Sequence, residues 1–280
     1  MRTTTRNPAK SLIDFAGEIL KYYASVSFGK DSLAMLLYIL ENGLPLDEVV
    51  FYDTGMEFET IYEIRDKVKK LLQEYGIKYT ELHPQRAFEY DMLHRIKTKR
   101  DGSKVSGDGW CGGACRWGTF AKLNALNRYI GNNHTYVGIA ADEKSRLEYL
   151  ESHKSSPIAD AGMTEADCLT YCHERGFFWN ECGVELYGIL DRVSCWCCRN
   201  KNMKELRNIY WNLPKYWKRL RELQMQIREP IKGKYGSVFD LEKRFEFEKY
   251  CESAGISTTS KGFYKKLKEH LNGQSNIKQA

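Results

Sequence analysis

Apolar residues in the first third of the chain alternate between two periods. Tyr22–Ser27 is a short aromatic and β-branched run that predicts a strand. Asp31–Glu41 carries Leu33, Leu36, Leu37 and Leu40 at helical spacing. Val49–Tyr52 predicts a second, buried strand. Phe58–Tyr75 predicts a charged amphipathic helix with Ile61, Ile64, Val68, Leu71 and Leu72 on one side, ended by Gly76. Lys78–Leu82 follows as a third strand. Strand–helix–strand–helix–strand implies parallel pairing with right-handed crossovers, so the fold class expected is α/β, a parallel twisted sheet with flanking helices.

Residues 84–115 break this rhythm. The stretch is polar, glycine-rich and longer than an ordinary connection, which marks a functional or disordered loop. Beyond it the pattern predicts a helix over Arg116–Ile130, a strand over Thr135–Ala140, and a helix over Thr164–Arg175 with Thr164 as N-cap. Helices over Lys204–Arg228 and Asp240–Ala254 make the C-terminal region helical. The division expected is a nucleotide-binding domain over 1–200, a basic helical region over 201–272 and a disordered tail over 273–280.

Composition changes little, but charge and cysteines change more. The chain has 280 residues, 42% hydrophobic and 29% charged, as a globular protein has. No apolar run reaches the roughly 20 residues of a membrane span, and no apolar stretch follows the basic start, so no secretory signal or membrane partner is expected and the setting is cytoplasmic. From Arg199 onward there are 19 Lys and Arg against 9 Asp and Glu, a balance of +10; the net charge of +6 leaves −4 on the first 198 residues. A basic end suits DNA or RNA, or is simply a solvated helical face. The run "YWNLPKYWKRLRELQ", Tyr210 to Gln224, interleaves aromatics with cations as nucleic-acid surfaces do, and equally as a helix packing its aromatics inward would.

Ser27-Phe28-Gly29-Lys30-Asp31-Ser32 sits where the first strand ends and the next helix begins. Open α/β sheets bind ligands there. The helix N-terminus offers unpaired N–H groups, Gly29 permits close approach, Ser27 and Ser32 supply hydroxyls and Lys30 a mobile charge, which together suit a phosphate. A Walker loop is excluded, since Ala24 stands where its first glycine belongs. Gly107-Asp108-Gly109-Trp110-Cys111-Gly112 spells a dinucleotide fingerprint but follows no strand. Asp53-Thr54-Gly55 spells the aspartic-protease triplet, yet occurs once and in a strand–helix context.

SFGKDS resembles the SGGKDS signature of the PP-loop ATP pyrophosphatases. "VVFYDTGMEFETIYE", Val49 to Glu63, resembles the strand-end block of the phosphoadenosine-phosphosulfate (PAPS) reductase and sulfate adenylyltransferase branch. "GIAADEKSR", Gly138 to Arg146, is similar to its arginine block, and the stretch from Met163 to Cys198 to its Trp-Thr-Glu-Ala-Asp helix and following cysteine segment. The resemblance implies an adenine-nucleotide hydrolase-like fold, with Ser27, Phe28, Gly29, Lys30, Asp31, Ser32, Asp53 and Gly55 around ATP, APS or PAPS. It implies Mg²⁺, and Lys30, Asp31 and Arg146 as catalytic residues. Phe28 departs from the signature glycine. Lys30-Asp31 is the pair that ATP-cleaving members keep, which favours cleavage between the α- and β-phosphates. Asp53 is otherwise a capping residue, and Arg146 a surface partner of Glu143. Glu181-Cys182-Gly183 matches the reductases' cysteine block in letters but lies mid-chain.

The nine cysteines are clustered, which in a reducing compartment favours a metal site. Cys111 and Cys115, with Cys195 and Cys198, supply four thiolates for tetrahedral zinc or an iron–sulfur cluster, and spacing does not separate the two. The resemblance to cluster-carrying APS reductases and to the ATP pyrophosphatase of DNA phosphorothioation favours a 4Fe-4S cluster; free buried thiols are the plain alternative. Cys197 is a spare ligand or a reactive thiol. Cys168 and Cys172, four apart on one helix, and Cys251 are expected to pack in the core. Trp110, Trp117 and Trp196 flank the cysteines as shields or as ordinary core. Three functions remain open: nucleotide cleavage serving sulfur metabolism or sulfur modification of a nucleic acid, with a sulfur- or electron-donor protein; thiol-dependent reduction of APS or PAPS; and a metal-stapled nucleic-acid binder that senses ATP.

Overall fold

The computed structural model describes residues 20–111, 113, 115–258 and 261–277, with the side chains of 261 and 271–277 left aside. The basic start at 1–19 and the last three residues of the expected tail lie outside the described residues.

Five parallel strands form the main sheet: β1 (Tyr22–Val26), β2 (Glu48–Tyr52), β3 (Lys78–Leu82), β4 (His134–Val137) and β5 (Lys154–Ser155), in the spatial order β3-β2-β1-β4-β5. The register sets Ala24 beside Val49 and Tyr136. β2 is buried at every position, as a central strand covered on both faces should be. Helices α1 (Lys30–Glu41) and α2 (Glu59–Tyr75) form the first two crossovers. α1 buries nine of its twelve residues, whereas α2 buries a single stripe through Ile61, Ile64, Val68 and Leu72. Gly76 closes α2 in the left-handed conformation at φ 66°, with its N–H bonded to Gln73. Helix α3 (Lys122–Ile130) precedes β4, and α4 (Glu165–Glu174) packs on α1. Thr164 caps α4 in a reciprocal capping box with Asp167, as its sequence predicts.

Because β2 lies on one side of β1 and β4 on the other, chain order reverses at β1. The crevice outside its carboxyl end is the topological switch point of the sheet.

The chain divides into two compact units, and the division does not fall at residue 200. Of the described residues, the first unit holds those in 20–85, 116–181 and 193–195, and the second those in 86–115, 182–192 and 196–277. The loop 86–115 belongs with the C-terminal helices because its polar groups find partners there. Trp110 donates its indole N–H to the Glu229 carbonyl at 2.9 Å, and the Cys111 carbonyl accepts from Arg199 N at 2.9 Å. Within that loop a short antiparallel hairpin pairs Ile96–Thr98 with Lys104–Ser106.

The predicted helix over 204–228 is two helices, α5 (Met203–Asn212) and α6 (Pro214–Gln226). Pro214 has no N–H to continue the ladder and opens a new helix instead. α7 (Val238–Ser253) and α8 (Lys261–Ile277) complete the unit, and α8 extends through the first part of the expected tail. Leu206, Ile209, Tyr216, Leu220, Leu241 and Phe245 form its core. The buried Gln224 amide bonds the carbonyls of Ile227 and Glu229 and the N–H groups of Ile231 and Val238, which ties down the connection into α7. Among the described residues no helix is long and apolar enough to cross a membrane.

Candidate functional site

The loop after β1 is closed on itself. Ser27 donates its N–H to Ser32 Oγ at 3.1 Å, the two hydroxyl oxygens lie 3.1 Å apart, and Ser32 Oγ reaches the Gly29 carbonyl. Gly29 is the N-cap of α1 in extended geometry with no side-chain cap, so the first-turn N–H groups have no side-chain acceptor at that position. The end of β4 presses close. A Cβ at Gly138 would stand 2.6 Å from the Ser32 backbone and 2.8 Å from that of Asp31. Glycine is therefore required at 138 for the two strand ends to frame the loop. This role is not visible in one sequence.

Phe28 departs from the family signature for a physical reason. Its backbone lies at φ 57°, the left-handed region where a bulky residue is strained by about 1–2 kcal/mol. The ring is fully buried and packs on Phe51 at 4.9 Å between centroids, and the Phe28 carbonyl accepts the Trp179 indole N–H at 2.8 Å. Core burial outweighs the strain. Phe28→Gly should relieve the backbone but open a cavity worth about 3–5 kcal/mol, for a net loss of about 1–4 kcal/mol. Denaturant unfolding of the two proteins measures this; a variant as stable as the parent would show that the loop, not the ring, governs position 28.

Lys30 is the centre of the site's charge. Its side chain is 8% exposed, and its Nζ lies 2.6 Å from Asp31 Oδ1 and 2.8 Å from Glu165 Oε2 at the start of α4. Burial alone would pull the ammonium down, but the hydrogen bonds to Asp31 and Glu165 more than offset it and the group stays charged. Burial pushes the Asp31 carboxyl up against the Lys30 bond and charge, with Glu165 and Glu143 adding to the rise. Glu165 in turn donates its N–H to Asp142 Oδ1 at 3.0 Å. Arg146 is 54% exposed and engages both Glu143 oxygens, at 2.6 and 2.7 Å, so the surface pair weighed from the sequence is the arrangement found.

At the neighbouring strand end Asp53 closes a turn. Its Oδ1 accepts from Gly55 N at 2.7 Å and from the Tyr62 hydroxyl at 2.8 Å, and it does not cap α2. Gly55, at φ 76°, is exposed with open space around it. Asp53, Glu81 and His83 bring ligand atoms within 4.8 Å of one another, a grouping the sequence gives no sign of because two strands contribute to it.

The cysteines fall into distinct environments. Cys168 and Cys172 are fully buried, and Cys172 donates to the Lys30 carbonyl; burial pushes the Cys168 thiol up to about 12. These are packing thiols, as is buried Cys251 beside Phe263 and Leu267. In the second unit, the Cys115 thiol pulls Cys111 down, but the Cys197 hydrogen bond, burial and the nearby Cys197 and Cys198 charges push it well up. Cys115, Cys197 and Cys198 therefore lie near Cys111. Cys195 belongs to the first unit, with Sγ 3.7 Å from Thr54 Oγ1 and 3.8 Å from Glu57 Oε1. Burial pushes that Glu57 carboxyl up, against the Lys122 charge and the Thr54 hydrogen bond. The two-residue step from 195 to 197 is enough to send the side chains to different surroundings.

Asn200 fixes the cysteine loop by exchanging two hydrogen bonds with the Gly113 backbone. No three cysteine sulfurs meet within 4.8 Å among the described residues. A single tetrahedral zinc with Zn–S bonds of about 2.3 Å requires sulfurs about 3.8 Å apart, whereas a cluster that spreads its thiolates over separate irons needs wider spacing. Cys182 is exposed at φ 50° in the chain's Glu-Cys-Gly block. The aromatic–cation run largely faces inward. Tyr216 and Trp217 are buried, Trp217 donates to Glu242, and Arg219 stacks over Trp196 at 4.1 Å; Trp211 stays exposed under Lys249.

Over 234 residues the chain is 27% identical to an uncharacterized protein of Methanocaldococcus jannaschii, covering 76% of this chain and 43% of that protein, so it spans less than half of that relative's length. Among solved structures, the U34-tRNA thiolase NcsA of Methanococcus maripaludis with its 4Fe-4S cluster aligns with a TM-score of 0.37 and 15% identity, covering 81% of this chain and 72% of that one. Residues 21–152, from the start of β1 to just before β5, match the model of the phosphoadenosine phosphosulfate reductase domain. They contain the closed loop, the Asp53 turn and the Gly138–Arg146 block, so that this segment of the chain matches the phosphoadenosine phosphosulfate reductase domain.

Proposed function

We propose that the chain binds ATP over Ser27–Ser32 and cleaves it between the α- and β-phosphates, in sulfur metabolism or in sulfur modification of a nucleic acid. The observation that carries this reading is Lys30, a buried and charged ammonium on the first turn of α1, at the switch point of the sheet. An acceptor oxygen attacks the α-phosphorus, the bond from that phosphorus to the bridging oxygen breaks, and pyrophosphate leaves with the negative charge. Lys30 and the first-turn N–H groups stabilise that charge, and the rest of the task is positioning. Asp53 and Gly55 flank the nucleotide from the β2 end. Arg146, exposed on its short helix, exchanges Glu143 for a phosphate oxygen. The Asp31 carboxylate, a hard oxygen ligand beside the phosphate loop, suits Mg²⁺, which supplies charge neutralisation.

Cys111, Cys115, Cys197 and Cys198 are the thiols that would hold an iron–sulfur cluster in the second unit, Cys111 having the other three near it. Such a group supplies sulfur or electron chemistry. The basic C-terminal region favours a polyanionic acceptor such as RNA or DNA. The test is pyrophosphate release from ATP and Mg²⁺ by anaerobically purified full-length protein, with and without added tRNA or DNA. Release that depends on the protein supports the reading. Sulfite release from adenylyl-sulfate with a thioredoxin-type donor, and none of pyrophosphate from ATP, replaces it with the reductase.

A further inference from the structure

Glu165 is the first residue of α4 and lies beyond the matched segment 21–152. Its carboxylate nevertheless reaches across 135 positions to hold Lys30 Nζ at 2.8 Å. The ammonium is thus occupied by carboxylates before any phosphate arrives. Asp31 lies on it at 2.6 Å, and Glu143 and Glu165 are close enough to act on Asp31. Asp142 holds the Glu165 backbone, and the nearby guanidinium of Arg146 is already committed to Glu143. The Lys30–Asp31 pair therefore sits among the carboxylates of Glu143 and Glu165.

We propose that Glu165 is the counter-ion that a nucleotide's phosphate displaces from Lys30, a competition that makes this site favour cation-chelated nucleotide over the free polyanion. The proposal rests on the nucleotide-binding reading above. A phosphate oxygen and a carboxylate oxygen seek the same charge-assisted bond to one ammonium. When phosphate wins, Asp31 and Glu165 are left facing additional negative charge without their shared cation. Asp31 cannot turn fully to water, being 26% exposed, whereas Glu165, at 37%, is the more mobile of the pair. A divalent cation carried in with the nucleotide removes that repulsion. A free polyphosphate does not. Glu165 thereby acts through Lys30 as a positioning residue that sets which form of the ligand is accepted.

The experiment is calorimetric titration of ATP into the full chain and into Glu165→Gln, once with excess Mg²⁺ and once with EDTA. Glutamine is nearly isosteric but carries no charge to compete. In EDTA, Glu165→Gln should bind ATP about tenfold tighter than the parent, a typical worth of a bond to a charged group. With Mg²⁺ the two proteins should differ by no more than about twofold. Equal affinities in EDTA, or weaker binding by the variant, overturn the proposal, because a residue that only caps α4 or that contacts the ligand directly gives those results. A parent that binds ATP under both conditions while the variant shows no change removes this proposal alone; a parent that binds ATP under neither removes the nucleotide reading with it. Should Glu165→Gln not fold, Glu165→Asp carries the test, since it keeps the charge at the helix start but withdraws it by one methylene. Tighter metal-free binding than the parent supports the competition, and equal or weaker binding overturns it.

Discussion

Replacing Lys30 with alanine should lower protein-dependent pyrophosphate release from ATP by about 100- to 1,000-fold, the usual cost of removing one preorganised donor to developing charge. The loss should appear mainly in kcat, because the charge on the leaving pyrophosphate grows along the reaction. The variant has a second consequence that the sequence alone hides. Lys30 bridges α1 to α4 by holding Asp31 and Glu165 together. Alanine leaves two partly buried carboxylates facing each other with no shared cation, so Lys30→Ala should also unfold at lower temperature than the parent. The double variant Lys30→Ala/Glu165→Gln separates the two effects. It removes half of the repulsion and should recover much of the lost melting temperature, yet its turnover should stay as low as that of the single variant. Recovery of turnover together with stability would mean that Lys30 only staples the helices. Release within threefold of the parent in a folded Lys30→Ala protein would remove this lysine from the chemistry.

The parts of this fold legible in sequence are those specified by neighbours in the chain. β1, α1, β2, α2 and β3 declare themselves because short β-branched and aromatic runs alternate with apolar residues at helical spacing between polar turns. β5 is two residues long and carries no period, so only pairing with β4 defines it. The first turns of the helix predicted from Arg116 are wider, a π-type segment over Arg116–Ala121, which no propensity distinguishes from α-helix. The same logic governs the site. Ser27 to Ser32 is contiguous and announces a phosphate loop. Glu165, Gly138 and Trp179 join that loop from more than a hundred positions away, and hydrophobic period and spacing do not place them there. Thr164 is the exception that proves useful: its capping box with Asp167 is local, and it fixes where α4 starts and hence where Glu165 stands. The cysteine set was half legible. Counting offers four thiolates for one metal, but not which of three cysteines in Cys195–Cys198 lie near Cys111, because that depends on the backbone path and not on spacing.

Cys111→Ser should abolish the metal content of the protein. The parent, purified without oxygen, is expected to carry about four irons and matching sulfide, the complement of a four-cysteine cluster, with broad visible absorption. Cys111 has the Cys115 and Cys197 thiols in hydrogen-bonding reach, so a serine there removes a ligand the proposed cluster needs and should reduce iron to background. The polypeptide should keep its fold, since the loop is also held by the Arg199–Cys111 backbone bond and the two Asn200–Gly113 bonds. Cys197→Ser should behave like Cys111→Ser. Cys195→Ser, whose sulfur faces Thr54 and Glu57, and Cys182→Ser, exposed on the surface, should keep the full iron content. The opposite outcome, with Cys195→Ser empty and Cys197→Ser loaded, restores the ligand set of Cys111, Cys115, Cys195 and Cys198 that spacing first suggested. A parent with about one zinc and no colour makes the centre a closed structural staple, because zinc has no redox chemistry to offer a sulfur transfer. The basic C-terminal region would then be the stronger guide to function, and salt-dependent binding of nucleic acid by the zinc protein the property to measure next.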